Sequence, residues 1–270
     1  MLKRLSSTIT GGAARLADRV ARPLLTRLTQ RAMWWPIGHF PLRSGEKVES
    51  LRVSSRRIDI AVPESETRHQ QWELSHLWGD DPYRLAVLPR NLGTVLDVGA
   101  NVGFFAILAR HYFPTATIHC YEPAPAIFPI LQRHTNDLRV IAHQAGVSKN
   151  DGSASLVSQD QGPSLYNRLI LDAEGAIQLI SFKNAIDRLG ETVDLLKLDC
   201  EGGEWSIMED RESLRRVKHI AMEYHLACEG SLPLWDLVYL LKTEKFEIES
   251  LRESSNRVVG QVTARNLTYV

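Results

Sequence analysis

Val95-Leu-Asp97-Val-Gly99-Ala-Asn101-Val-Gly103-Phe-Phe decides the fold. An apolar strand, Thr94–Val98, ends beside an acid, turns through glycine and enters a helix over Phe104–Tyr112. In open α/β sheets, ligands bind outside the carboxyl ends of the strands, where the strand order reverses. Gly99 permits a tight turn and close approach of a ligand to the backbone. Gly103 permits close packing of helix on strand. A dinucleotide fingerprint would read G-x-G-x-x-G, but Asn101 stands where the middle glycine belongs. That counts against a pyrophosphate cradle and against a nicotinamide oxidoreductase. A cationic cofactor with an amino-acid tail suits Asp97 better than a phosphate does. For this stretch alone, a tight turn with a buried acid capping the helix is the plainer alternative.

Outward from this point, strands and helices alternate. Strands are expected at Thr117–Tyr121, Arg139–His143, Val193–Leu198 and His219–Tyr224, with Phe246–Ile248 and Val258–Val262 closing the sheet. Helices are expected near 126–134, 205–208 and 232–241. This alternation means a mostly parallel, doubly wound sheet. Ser153–Val157 and Ile177–Ile180 read as a hairpin within an insert spanning 150–192. Upstream, Val48–Val53 and Ile58–Val62 read as short strands. Ser65 to Trp78 reads as a helix capped by Ser65 and stopped by Gly79-Asp80-Asp81-Pro82. Tyr83 to Leu88 reads as another short helix.

Charged residues gather at the carboxyl ends of these strands. Glu122 follows the second strand in Tyr121-Glu-Pro-Ala-Pro125. An acid at that spacing accepts hydrogen bonds from both ribose hydroxyls. Pro123 offers an apolar face beside an adenine. The strand in Asp194-Leu-Leu-Lys-Leu-Asp199-Cys-Glu201-Gly-Gly-Glu204-Trp delivers Lys197, Asp199, Glu201 and Glu204 to the same edge. Lys197 and Asp199 lie two apart, so they share a face. Ala221-Met-Glu223-Tyr-His225 adds another acid and a histidine. For each of these residues the bland reading is a buried ion pair or a helix cap.

DVGANVGFF, YEPAP, LLKLDCEGGEW and MEYH together resemble the FkbM family of S-adenosylmethionine-dependent methyltransferases, over roughly residues 93–225. KLDCEGGEW is similar to the family signature K-I-D-x-E-G-x-E, with Cys200 in place of an aliphatic residue and Gly203 in place of alanine. The resemblance implies a Rossmann-like class I methyltransferase with a seven-strand sheet. It implies O-methylation of a hydroxyl on a sugar, polyketide or similar small metabolite. On this reading Asp97, Gly99, Ala100, Asn101 and Gly103 seat the methionine end, Glu122 and Pro123 the ribose and adenine, and Asp199 lies near the sulfonium. His225 is the first candidate base, because imidazole titrates nearest neutral pH, and Glu201 the second. Asp199, Glu201, Glu223 and His225 also have the donors for a divalent ion. Their spacing is no metal signature, so no metal ligand is assigned.

The remainder of the 270 residues bounds the alternatives. The composition, 44% hydrophobic and 24% charged, is that of a globular chain. Residues 1–35 carry seven basic residues against one acid, a balance of +6; net charge is zero, so residues 36–270 carry −6. An acidic body without a basic stripe weighs against a nucleic-acid partner. Residues 1–35 read as a basic amphipathic extension that can lie on an anionic membrane surface or pack on the domain. A membrane-bound scaffold without catalysis is the rival reading, but it predicts loss of the site residues, and they are all present. Three cysteines without a CxxC pair point to a reducing, cytoplasmic setting. No apolar run is long enough to span a membrane. The chain divides into 1–35, a cap region at 36–92 and the methyltransferase domain at 93–270. Acceptor contacts are expected from 36–92 and from the insert, with Ser164 and Tyr166 as further candidates; Trp34, Trp35, Trp72 and Trp78 could stack on a sugar, but core packing is the plainer reading for them.

Overall fold

Continuous apolar runs become buried parallel strands because both of their faces must be covered. In the computed structural model, which describes residues 50–53, 56–60, 67–157, 168–228, 230–255 and 257–269, these runs form the centre of the sheet. The expectations for residues 1–35, Trp34, Trp35, Ser65, Ser164 and Tyr166 lie outside the described residues.

The chain enters as an antiparallel pair, β1 (Ser50–Val53) and β2 (Arg56–Asp59), followed by helix α1 (Thr67–Asp80). Gly79 is absorbed into that helix rather than stopping it. The helix expected over Tyr83–Leu88 shrinks to a 3-10 turn, Leu85–Val87. Next come β3 (Thr94–Val98), α2 (Phe104–Tyr112), β4 (Thr117–Tyr121), α3 (Phe128–Thr135) and β5 (Val140–His143). Here the chain leaves the main sheet. It builds β6 (Gly146–Ser148), β7 (Gly152–Val157), β8 (Arg168–Leu171) and β9 (Ile177–Ser181). It returns through α4 (Phe182–Asp187), β10 (Val193–Leu198), α5 (Glu204–Met208), α6 (Arg211–Leu214), β11 (Val217–His225), α7 (Leu234–Thr243), β12 (Phe246–Glu253) and β13 (Val259–Asn266).

The main sheet has seven strands in the order β12-β13-β11-β10-β3-β4-β5. β5, β4, β3, β10 and β11 run parallel, and β13 is antiparallel to both of its neighbours. This is the Rossmann-like class I methyltransferase sheet. The order reverses between β3 and β10, which pair from Val95–Leu195 to Val98–Leu198. The crevice above that reversal is therefore bounded by Gly99 on one side and Asp199 on the other. Two apolar clusters cover the two faces of the sheet. One includes Leu74, Val95, Phe105, Ile118 and Leu131, and the other Leu96, Leu196, Trp205, Met222 and Leu237.

The insert differs from the expected hairpin. Its strands form a separate four-stranded sheet, β6-β9-β7-β8. β7 does pair with β9, but β8 adds an outer strand, paired Leu156 to Leu169 with β7. Arg168-Leu-Ile-Leu171 was not legible as a strand, because a four-residue run has too little pattern to read.

Candidate functional site

The crevice opens into a cavity of about 1010 Å³, lined from the strand ends, α1, the insert and the β12–β13 turn. That is the upper end of small-molecule pockets, room for a cofactor and an acceptor side by side.

The floor is tied by backbone bonds between strand ends. Gly99 N and Ala100 N donate to Tyr121 O, Asp199 N donates to Val98 O, and Glu122 N donates to His143 O. Gly99 has φ 75°, and a Cβ there would lie 1.8 Å from Asp199 O. The glycine is thus required by the neighbouring loop of this chain. A Cβ on Gly103 would meet Leu131 Cδ1 at 2.8 Å, so Gly103 serves helix-on-helix packing of α2 against α3 rather than helix on strand. Asn101 and Glu201 each occupy left-handed backbone, φ 48° and 54°. Such strain in non-glycine residues gathers at functional loops.

Asp97 lies beneath the wall and not in it. It is fully buried, with Lys197 Nζ at 3.2 Å and Cys120 Sγ at 3.5 Å. Burial raises its carboxyl, while Lys197 opposes the rise. Burial alone would lower the Lys197 ammonium, but Asp97 and Asp199 outweigh it and hold it high. Lys197 Nζ also donates to Gly99 O. Asp97 therefore acts on the glycine turn through Lys197; direct contact of Asp97 with a cofactor tail is not what this geometry offers. Ala100 and Gly103 are likewise behind the wall, whereas Gly99, Asn101, Glu122, Pro123, Asp199, Glu201 and His225 face the cavity.

Glu122 accepts from Asn101 N at 2.9 Å and Ala124 N at 2.8 Å. Burial pushes its carboxyl up to about 7 against those bonds. Asn101 Oδ1 is buried without a partner, an acceptor left for a ligand donor. Together with the acids, these groups fit a cofactor with ribose hydroxyls, an ammonium and a sulfonium.

At the other end, Glu204 is fully buried and organises His225. Its Oε1 accepts from His225 N and faces His225 Nδ1, both at 2.9 Å, and its Oε2 accepts from Gly202 N. A carboxylate can only accept, so Nδ1 carries the proton and Nε2 looks into the cavity. There it meets Glu201 Oε2 at 3.5 Å and Glu223 Oε1 at 3.7 Å. Burial lowers the imidazole, but Glu204, Asp199 and Glu201 outweigh it and raise it to about 9. Burial raises Glu201 and Glu223 to about 7 each. In this setting the imidazole no longer titrates nearest neutrality, and the two carboxyls do. Among the described residues, Asp199, Glu201 and His225 offer ligand atoms all within 4.8 Å of one another, so these three could hold a cation.

The cap region was expected to supply contacts, but sequence reasoning missed the residues that reach the site. Tyr83 Oη donates to Asp199 Oδ2 at 2.8 Å. Glu73, His76, Leu77 and Asp80, spaced i, i+3, i+4 and i+7, present one face of α1 to the cavity. Burial and Asp199 push Glu73 up to about 8. That polar face was the available signal. Trp72 is 60% exposed, stacked on His76 and on the cavity rim, whereas Trp78 is core. Among the described residues no helix is long and apolar enough to cross a membrane.

Residues 97–231 match the methyltransferase FkbM domain. Over 207 residues the chain is 30% identical to Methyltransferase 1 of Beauveria bassiana, covering 65% of this chain and 81% of that protein. It is 25% identical to the 31-O-demethyl-FK506 methyltransferase FkbM of Streptomyces tacrolimicus, covering 81% and 97%. Among solved structures it is similar to a methyltransferase FkbM from Methylobacillus flagellatus, with TM-score 0.46, 18% identity and coverage of 76% and 56%. With its glycine turn, Glu122 and the strand-end acids on one crevice, this chain belongs to the FkbM family of S-adenosylmethionine-dependent methyltransferases.

Proposed function

We propose that this methyltransferase alkylates a hydroxyl oxygen of a small metabolite, such as a sugar or polyketide. The observation that carries the reading is the group at the ends of β10 and β11. Asp199, Glu201, Glu223 and His225 face one end of a cavity whose other end holds Glu122. When bound, the cofactor supplies an electrophilic methyl group on a sulfonium. Glu122 accepts the ribose hydroxyls, and Asn101 Oδ1 takes a donor of the amino-acid tail. Asp199, fixed by Tyr83, faces the positive charge. Glu201, beside His225 Nε2, takes the hydroxyl proton as the acceptor oxygen attacks. Alignment of the two partners supplies much of the rate, since well-oriented reactions gain about 7–11 kcal/mol. The carboxylates at the acceptor end would repel a phosphate backbone, which favours a small molecule over nucleic acid. The name of the Streptomyces relative, a 31-O-demethyl-FK506 methyltransferase, supports oxygen as the atom alkylated.

The test is calorimetric titration with S-adenosylhomocysteine beside Glu122→Ala. Wild type should bind at micromolar concentration, and the variant should weaken binding by about a hundredfold through loss of two charge-assisted bonds. A screen of sugar and polyketide alcohols, with and without magnesium, should then give a methyl ether by mass spectrometry. Methylation found only on amines or carbon would overturn oxygen transfer, and no binding by folded wild type would overturn the enzyme reading.

A further inference from the structure

The cavity is chemically two-ended. Beyond Glu122 the carboxylates stop, and the lining becomes Pro123, Ala124, Ile127, Val147, Leu156 and Leu169. The last two belong to the insert. They are directly opposite each other across the antiparallel pair β7–β8. A cross-strand pair of this kind puts both side chains on one face, touching. Leu156 also packs on the apolar cluster that contains Ala124 and Ile127. The insert therefore closes onto the loop that follows Glu122. The floor opposite is shaped to receive it: a Cβ on Gly146 would lie 2.6 Å from Leu169 Cδ1 and 2.7 Å from Leu179 Cδ2. Any larger residue at 146 would push the hairpin outward.

We propose that the inserted β7–β8 hairpin is part of the cofactor site, and that the Leu156–Leu169 pair is the wall against which the purine lies. This rests on the reading that Glu122 holds the ribose. The base, attached to that ribose, must lie within a few ångströms of Glu122, and the lining beyond that carboxylate is apolar. An insert expected to read the acceptor is thus assigned to the cofactor. The acceptor end is left to α1, Tyr83 and the turns after β10 and β11. Purine rings bury apolar faces, and removal of one aliphatic side chain from such a contact costs about tenfold in affinity.

Two probes that share the purine nucleoside test this: S-adenosylhomocysteine, and 5′-methylthioadenosine, which lacks the amino-acid tail. Leu169→Ser and Leu156→Ser should weaken both by a similar factor of about ten. Ile170→Ser, on the outward face of the same strand and 50% exposed, should weaken neither. In the wild-type chain, amides of 152–157 and 168–171 should gain protection from hydrogen exchange with either probe, a readout that needs no variant to fold. Unchanged affinity in folded leucine variants, or unchanged protection under saturating probe, overturns the assignment. If Glu122→Ala loses the homocysteine probe while both leucine variants keep it, the hairpin assignment falls alone. If wild type binds neither probe, the cofactor reading beneath it falls as well.

Discussion

Lys197 is the residue on which the most depends, although nothing is expected to react at it. It is almost fully buried, faces Asp97 and Asp199 at 3.2 and 3.8 Å, and reaches the carbonyl of Gly99. A buried ion pair gives little net stability, but removing one partner leaves a charge with no compensation. Lys197→Met should therefore cost about 3–5 kcal/mol, read as a lower urea midpoint. Adding Asp97→Asn should recover part of that loss. A double variant no better than the single would mean that packing, not charge, sets the cost. Residue-scale roles of this kind were half legible. The spacing of Lys197 and Asp199 placed both on one face, but that Asp97 sits below the wall could not be read. Which carboxylate a lysine selects depends on a contact between strands 100 residues apart.

At the scale of elements, the parallel strands were legible nearly to the residue. Thr94–Val98, Thr117–Tyr121 and Val193–Leu198 appear where their apolar runs begin and end. Burial on both faces leaves such strands no polar pattern to confuse. The cap region and insert were read less well, because single residues there reach the site from elements of ordinary composition. Tyr83 is the sharpest case. Its ring packs edge-on against Phe105 at 5.4 Å while its hydroxyl bonds Asp199. Tyr83→Phe keeps the ring and removes the bond. Hydrogen bonds to charged groups carry about 1.5–3 kcal/mol. The variant should lose about tenfold or more in kcat/KM for methyl transfer, with a melting temperature close to wild type. A rate equal to wild type would place Asp199 outside the reacting geometry.

For the whole molecule, the raised acids make stability depend on pH in one direction. Burial lifts Glu122 to about 7 and Glu73 to about 8, from an ordinary 4.5. Below that ordinary value both are protonated folded or unfolded, and the fold carries no penalty. As pH rises through it, the unfolded chain releases protons that the folded chain keeps. The unfolded state then binds fewer protons, so stability falls until the folded groups have also ionised. The cofactor-free protein should melt at a lower temperature at about pH 8 than at about pH 5.5. Glu73→Gln should flatten the slope in a thermal scan at constant ionic strength. A slope that Glu73→Gln leaves intact would assign the pH dependence to other groups.

The contact at Gly99 reaches further than its turn. The loop after β3 and the loop after β10 touch backbone to backbone, and Lys197 fastens the same glycine from below. Neither loop can shift at that point without displacing the other. Whatever binds above one strand end is registered at the other without any relay of side chains. The spacing between the two halves of the crevice is a property of the folded chain, present before either occupant arrives. A protein built this way selects its second substrate by reach: an acceptor atom that stops an ångström short cannot be met halfway.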